Sequence, residues 1–230
     1  MTSDRYMTIC KRILERCRQK KYYGPDGGWQ DYRGYFDDEG KLQIRRLTHD
    51  PHTGFEFPPA TEEQLQRTEE TLGFPLPPML RALYTHVANG GFGPAYGITG
   101  ARGGYYFGED GHYQTIDGWI EATSDLFTET KPSEEYIDLA AYERQHGNPL
   151  TIELPSNVWP ARFLRFCYEG CGEDVCIDGG SGRVYLVGGV WDEHKGLTGY
   201  LRRLDNSVEN WLERWLFGEK DLWVSKNICE

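Results

Sequence analysis

Apolar residues recur at helical spacing in the stretch TEEQLQRTEETLGFPLPPMLRALYTHVANGG, which occupies positions 61–91. Leu65 and Leu72 lie one heptad apart, as on one face of a helix. Thr61 precedes them as an N-cap, and Gln64 three residues later completes a capping box. Gly73 stands where the left-handed residue that ends a helix is expected. The pattern therefore predicts a helix that ends at Leu72.

A second short helix is predicted after a proline hinge in the same stretch. Pro77 and Pro78 cannot continue the first helix, but prolines suit the first turn of the next one. The apolar residues that follow share one helical face: Leu80, Leu83, Tyr84 and Val87. The turn sequence Asn89-Gly90-Gly91 then ends the helix. None of these residues needs a reactive role, so the stretch is interpreted as scaffold.

Similar patterns predict the remaining elements. Helices are expected at 5–20, at 116–128, at 133–146 with Ser133 as N-cap, and from Asn206 or Ser207 to Gly218. Strands are expected near 42–47 and, as three consecutive strands, at 163–168, 175–177 and 184–187. The loop Asp178–Gly182 joins the last two as a hairpin. These elements predict an α+β protein.

Length and composition indicate how large a hydrophobic core the chain can form. The chain has 230 residues, of which 38% are hydrophobic, a low value that 7 Trp, 15 Tyr and 10 Phe compensate. Its 28 Gly and 12 Pro indicate many turns, as in a mixed α+β chain rather than a helical bundle. We expect a single domain with a sizeable core.

The sequence contains no apolar run of about 18 residues, so no transmembrane helix is expected. The N-terminal sequence MTSDRYMTICKRILERCRQKK has charges throughout and lacks the apolar centre of a signal peptide. We therefore expect a cytoplasmic protein. Six cysteines in such a compartment favour free thiols over a disulfide framework.

Charge is unevenly distributed along the chain. The net charge is −11, yet residues 1–21 hold seven bases against two acids. Between Glu109 and Glu143 there are ten acids and one base, Lys131. Such an acidic segment repels nucleic acid and attracts basic proteins, although it also suits a solvated surface kept for solubility. The basic first helix likewise has two interpretations, packing on its own domain or binding a membrane surface or nucleic acid.

Metal and catalytic motifs are weak. Cys167, Cys171 and Cys176 lack the CxxC spacing of zinc sites and are interpreted as structural. The sequence His49-Asp50-Pro51-His52 has metal-ligand residue types, but without a further ligand nearby it is interpreted as a loop. Neither glycine-rich loop is a phosphate-binding loop, and there is no G-x-S-x-G nucleophile motif. The sequence thus predicts no enzyme, metal or cofactor.

The stretch described first also resembles a known family. An acidic helix start, Leu72-Gly73, Leu76-Pro77, an apolar helix and Asn89-Gly90-Gly91 are similar to the core pattern of the SUKH superfamily. The resemblance covers about residues 55–218 and implies a single α+β domain with an antiparallel or mixed sheet flanked by helices. Residues 1–54 would then be an N-terminal extension packed on that domain, and 219–230 a tail.

The resemblance also implies a function. The superfamily groups fungal regulators of cell-wall glucan synthesis with many bacterial immunity proteins, which neutralise toxins by binding them. Because the chain is acidic, we expect a non-catalytic immunity protein whose partner is a basic, nuclease-type toxin. The expected contact set is Glu109, Asp110, Asp117, Glu121, Asp125 and Glu129. The alternative is a regulatory scaffold like the fungal proteins; neither hypothesis includes nucleic acid or membrane as a partner.

Overall fold

The computed structural model describes residues 2–19, 32–36, 42–46, 57–94, 97–105, 135–154, 158–170, 173–192 and 196–218. The helices in these ranges are α1 (Thr2–Arg18), α2 (Glu62–Leu72), α3 (Pro78–His86), α4 (Leu139–Gln145) and α5 (Val208–Leu216). The strands are β1 (Tyr32–Phe36), β2 (Leu42–Arg46), β3 (Glu135–Ile137), β4 (Thr151–Leu154), β5 (Val158–Pro160), β6 (Phe163–Gly170), β7 (Glu173–Asp178), β8 (Val184–Asp192) and β9 (Gly196–Asp205).

A five-stranded sheet forms the centre of the fold, with the strand order β4-β9-β8-β7-β6. Every pair in this sheet is antiparallel. Residues 174–178 of β7 are all buried, which requires both faces of the sheet to be covered. The prediction of an α+β domain with an antiparallel or mixed sheet and flanking helices is confirmed, and the sheet is antiparallel. Two shorter pairings lie outside this sheet, the antiparallel β1-β2 and the parallel β3-β5.

The caps read from the sequence place α2 and α3 as predicted. The Thr61 side chain accepts a hydrogen bond from the Gln64 backbone, and the Gln64 side chain accepts one from the Thr61 backbone. Gly73 ends α2 in the left-handed conformation, with φ of 73°. Helix α3 begins at Pro78, where the missing N–H costs nothing because the first turn has no intrahelical acceptor for it.

One face of the sheet packs against three helices. Helix α5 buries Trp211, Leu212 and Trp215 in this core. Helices α1 and α3 add apolar side chains to the same cluster, which meets the sheet at Leu164, Phe166, Val175, Ile177 and Leu186. The Phe166 and Trp211 rings meet edge to face with centroids 5.5 Å apart. This layer is the main hydrophobic core.

The other face carries α4, and here the predicted helix at 133–146 is partly wrong. Glu135–Ile137 is strand β3, which pairs in parallel with β5. The helix begins at Leu139, and its N-cap is Asp138, whose carboxylate accepts a hydrogen bond from the Ala141 N–H. Because β3 directs its backbone groups to a neighbouring strand, they cannot form the first turn of a helix. The predicted cap Ser133 and the predicted helix at 116–128 lie outside the described residues.

A loop covers part of the β6 edge of the sheet. Ile98 forms a bridge with Cys167 of β6, and the Thr99 N–H donates to the Phe166 carbonyl at 2.7 Å. Strand β6 also has register irregularities against β7 at two places, between 165 and 167 and between 168 and 170. The loop 97–105 is therefore attached to the sheet through backbone hydrogen bonds.

Candidate functional site

The predicted contact set lies outside the described residues. All six acids, from Glu109 to Glu129, belong to the undescribed range 106–134, so their role as a binding surface stays a prediction. The residues on either side of this range are described, however. Tyr105 precedes it and is fully buried, and β3 follows it. The structure therefore shows how the two ends of the acidic segment are attached to the fold.

Asn89 holds the loop 97–105 at the first of these ends. It is 2% exposed, and its side-chain oxygen accepts a hydrogen bond from the Ala101 N–H at 2.7 Å. Its side-chain amide donates to the Arg102 carbonyl at 3.3 Å. The Asn89 backbone carbonyl accepts a third bond, from the Tyr105 N–H at 2.9 Å. One side chain at the end of α3 thus fixes a loop that begins eight positions later.

Glycines allow this loop to approach the end of α3 closely. A Cβ on Gly90 would lie 2.6 Å from the Gly100 nitrogen, and a Cβ on Gly100 would lie 2.3 Å from the Asn89 carbonyl oxygen. Gly104 has the same constraint, because its Cβ would lie 2.5 Å from the Asn89 side chain. Contacts this short exclude any larger residue unless the backbone moves. The Asn-Gly-Gly sequence is therefore more than a helix stop.

Helices α2 and α3 each add a buried polar contact to the loop. The Thr68 hydroxyl accepts from the Arg102 N–H at 2.9 Å, and the Tyr84 hydroxyl donates to the Thr99 carbonyl at 2.7 Å. Burial raises the pKa of the Tyr84 phenol well above its usual value, so this donor stays protonated at neutral pH. These contacts join both helices to the loop that leads into the acidic segment.

A buried carboxylate fixes the second end of the acidic segment. Glu143 of α4 is fully buried and accepts a hydrogen bond from the Tyr185 hydroxyl at 2.9 Å. Arg183 forms an ion pair with Glu143, and the Arg203 guanidinium lies 3.5 Å from it. Burial, and then the charge of Glu143, raise the pKa of Tyr185 well above its ordinary value. The cluster attaches α4 to strands β8 and β9, and its carboxylate is occupied by structural partners.

Residues 59–214 match the family model described as SMI1 / KNR4 family (SUKH-1). The chain belongs to the SMI1/KNR4 family. The match to this family model confirms the predicted SUKH resemblance. Comparison with curated proteins and with solved structures finds no significant match. Proteins of the SMI1/KNR4 family are generally non-catalytic and interact with other proteins.

The buried charges and thiols in the described part of this SMI1/KNR4 domain also have structural partners. Arg165 and Asp174, on neighbouring strands, form an ion pair with 2.5 Å between Nε and Oδ1. Cys167 belongs to the main core, whereas Cys176 belongs to the opposite face of the sheet with Leu139 and Tyr185. These two thiols cannot bind one metal ion from opposite faces. Among the described residues, no three His, Cys, Asp or Glu side chains are grouped to hold a metal.

The basic first helix lies outside the matched range but packs on the SMI1/KNR4 domain. Ile9, Cys10 and Ile13 of α1 are each 1% exposed and belong to the main core. Of the two interpretations of this helix, the structure favours internal packing of its apolar face. None of the helices in the described ranges is long and apolar enough to cross a membrane.

Proposed function

We propose that this protein is a cytoplasmic immunity protein that binds a basic, nuclease-type toxin and neutralises it without catalysis. The observation that carries the proposal is the concentration of charge within the family-matched range: ten acids and one base between Glu109 and Glu143. A protein-binding family supplies the mode of action, and the acidic segment supplies the preference for a basic partner.

Two acids at the C-terminal end of this segment have partners in the described structure. Asp138 caps α4 and lies 3.5 Å from the Arg162 guanidinium, and Glu143 is buried in the cluster described above. These two acids already have partners within the fold. The proposed contacts are the six acids named from the sequence: Glu109, Asp110, Asp117, Glu121, Asp125 and Glu129.

The proposed mechanism is electrostatic masking. The cations of a nuclease-type toxin bind the phosphates of its substrate, and carboxylates placed over them would exclude that substrate. Opposite charges also raise the rate of association, by roughly 10- to 1,000-fold at low salt. Screening shortens the range of this attraction to about 8 Å at physiological ionic strength. Binding should therefore weaken as salt rises.

The first experiment is capture of partners from the source cell lysate at low and moderate salt, with mass spectrometry of the retained proteins. We expect one basic protein whose retention decreases with salt, and the purified chain should inhibit its activity. Retention of no basic protein at either salt concentration would contradict the proposed partner class.

A charge-reversal pair locates the contact surface. The variant Asp117→Lys/Glu121→Lys/Asp125→Lys changes three acids of the proposed contact set. A matched control changes three exposed acids elsewhere: Glu15→Lys/Glu70→Lys/Glu153→Lys. Each triple raises the net charge from −11 to −5. We expect the first variant to slow association with the captured partner at least about tenfold more than the control does. Equal slowing would indicate a net-charge effect and remove these acids from the interface.

The regulatory scaffold remains the second candidate function, because the chain has a separate basic surface on α1, outside the matched range. A scaffold uses several surfaces for several partners. Capture of several unrelated proteins, each lost through a different surface variant, would favour this function over immunity.

A further inference from the structure

Three arginines of α1 follow its border with α5. Arg5, Arg12 and Arg16 are seven and four residues apart, which places them on one side of the helix. Arg5, the first of them, has acidic and polar partners on α5. Its guanidinium lies 2.7 Å from the Glu213 carboxylate and donates to the Asn210 side chain. The hydrogen bond to Glu213 raises the pKa of Arg5, as expected for a compensated cation.

The other two arginines lie over aromatic rings instead. The Arg12 guanidinium carbon is 5.3 Å from the centre of the Phe217 ring, and that of Arg16 is 4.6 Å from the Trp215 ring. Within the described ranges neither guanidinium contacts a carboxylate, and Nε of Arg16 is buried without a hydrogen-bond partner. Its Nη1 donates a long bond of 3.4 Å to the Leu216 carbonyl. A ring face compensates a cation only in part.

An exposed aromatic side chain adjoins these cations. Phe217 is 70% exposed, although Arg12 lies over its ring. Lys11 and Arg18, also exposed, add positive charge on the outer side of α1. A large apolar side chain beside cations that contact no carboxylate in the described ranges is typical of an interface that combines an apolar anchor with charge recognition.

We propose that Arg12, Arg16 and Phe217, at the C-terminal ends of α1 and α5, form a second docking surface that binds a carboxylate-rich segment of a partner protein. The carboxylates pair with the two guanidinium groups, and an apolar side chain of the segment covers the Phe217 ring. This surface has the opposite charge to the acidic segment. It therefore recruits a different class of partner from the basic toxin.

The occupant is an acidic protein segment rather than a longer polyanion. Beyond residue 21 the chain carries a net charge of −16, which repels extended nucleic acid and anionic membranes more strongly than a short peptide. A membrane would also need an apolar face for insertion, but that of α1 is buried in the core. The described cations lie at one end of a helix pair, a span that suits a short segment.

The test uses fluorescence anisotropy with a short fluorescein-labelled peptide of repeating Glu-Glu-Leu units and the full chain. We expect salt-sensitive binding that Arg12→Gln/Phe217→Ala weakens at least about tenfold. The matched control is Arg144→Gln/Tyr136→Ala, which removes one exposed cation and one exposed aromatic ring from α4 and β3. The control should bind within about twofold of the unmodified chain.

Three outcomes would overturn the proposal. The unmodified chain fails to bind the peptide at low salt, or both variants lose affinity equally, or a labelled single-stranded RNA or vesicles of anionic lipid bind more tightly than the peptide at the same salt. Arg12→Lys provides a further readout, because it keeps the charge and loses the planar group that stacks on Phe217. Its affinity should lie between those of the unmodified chain and the double variant.

Discussion

Replacing Asn89 by alanine tests the buried polar side chain that holds the loop 97–105. The substitution removes the acceptor of the Ala101 N–H and the donor to the Arg102 carbonyl. Ala101 is fully buried, so its N–H is left without a partner in the protein. A buried unsatisfied donor costs about 1–3 kcal/mol, and losing the longer second bond costs about 0.5–1 kcal/mol. We therefore expect the free energy of unfolding to fall by about 2–4 kcal/mol.

A second substitution separates the hydrogen bonds from the space that the side chain fills. Asn89→Leu has the same number of heavy side-chain atoms as asparagine in a similar branched shape but cannot accept from Ala101, and it leaves no room for a replacement water. It should therefore cost at least as much as Asn89→Ala. If the two hydrogen bonds were unimportant, the leucine variant would be the more stable one.

Thermal and urea unfolding measure both variants. For a domain of this size 1 kcal/mol corresponds to about 2–4 °C, so Asn89→Ala should lower the Tm by roughly 5–15 °C. The control is Asn206→Ala, since Asn206 is exposed and precedes the cap of α5. It should change the free energy of unfolding by less than about 0.5 kcal/mol. A melting temperature for Asn89→Ala within about 2 °C of the unmodified chain would refute the role assigned to Asn89.

Two further predictions concern backbone space and alkaline pH. Gly90→Ala should lower the free energy of unfolding, measured in urea, by at least about 3 kcal/mol, because the added Cβ would lie 2.6 Å from the Gly100 nitrogen. Gly73 is also left-handed but has open space around it, so Gly73→Ala should cost only about 1 kcal/mol. Equal costs for the two variants would contradict the close approach of Gly90 to Gly100. For Tyr185, burial and the Glu143 charge raise the folded-state pKa above the unfolded value of about 10. The contribution of Tyr185 to stability is therefore complete below about pH 10 and is lost as the pH rises through the folded-state pKa. The Tm should therefore fall above about pH 10, and it should fall less steeply in Tyr185→Phe. If the Tm of both proteins fell with the same slope, Tyr185 would not be the source of the pH dependence.

Local sequence signals predicted much of the fold. The Thr61 cap, the left-handed Gly73 and the proline start of α3 are all encoded within a few residues, and each is confirmed. The start of α5, predicted at Asn206 or Ser207, is found directly after Ser207, and the three consecutive strands β6, β7 and β8 are also confirmed. Caps and turns can be read from sequence because the groups that they satisfy are close neighbours in the chain.

Long-range contacts were not predicted. The sequence indicated Asn89 as a turn residue, but its partners lie 12 and 13 positions further on, in a loop without helical or strand periodicity. Glu143 appeared as one acid among ten, and only the fold brings it to Tyr185, 42 positions away. Strand β3 was missed because its partner β5 follows more than 20 residues later. The proposed contact acids stay a prediction from charge alone.

The loop that Asn89 holds also has a consequence for self-association. An exposed strand edge offers free N–H and C=O groups to the edge of another copy, which is a common route to aggregation. Ile98 and Thr99 occupy part of that edge on β6, and the register irregularities of β6 distort it further. Because Asn89 keeps the loop in place, substitutions there should do more than lower stability: they should open an edge and shorten the lifetime of the protein in concentrated solution.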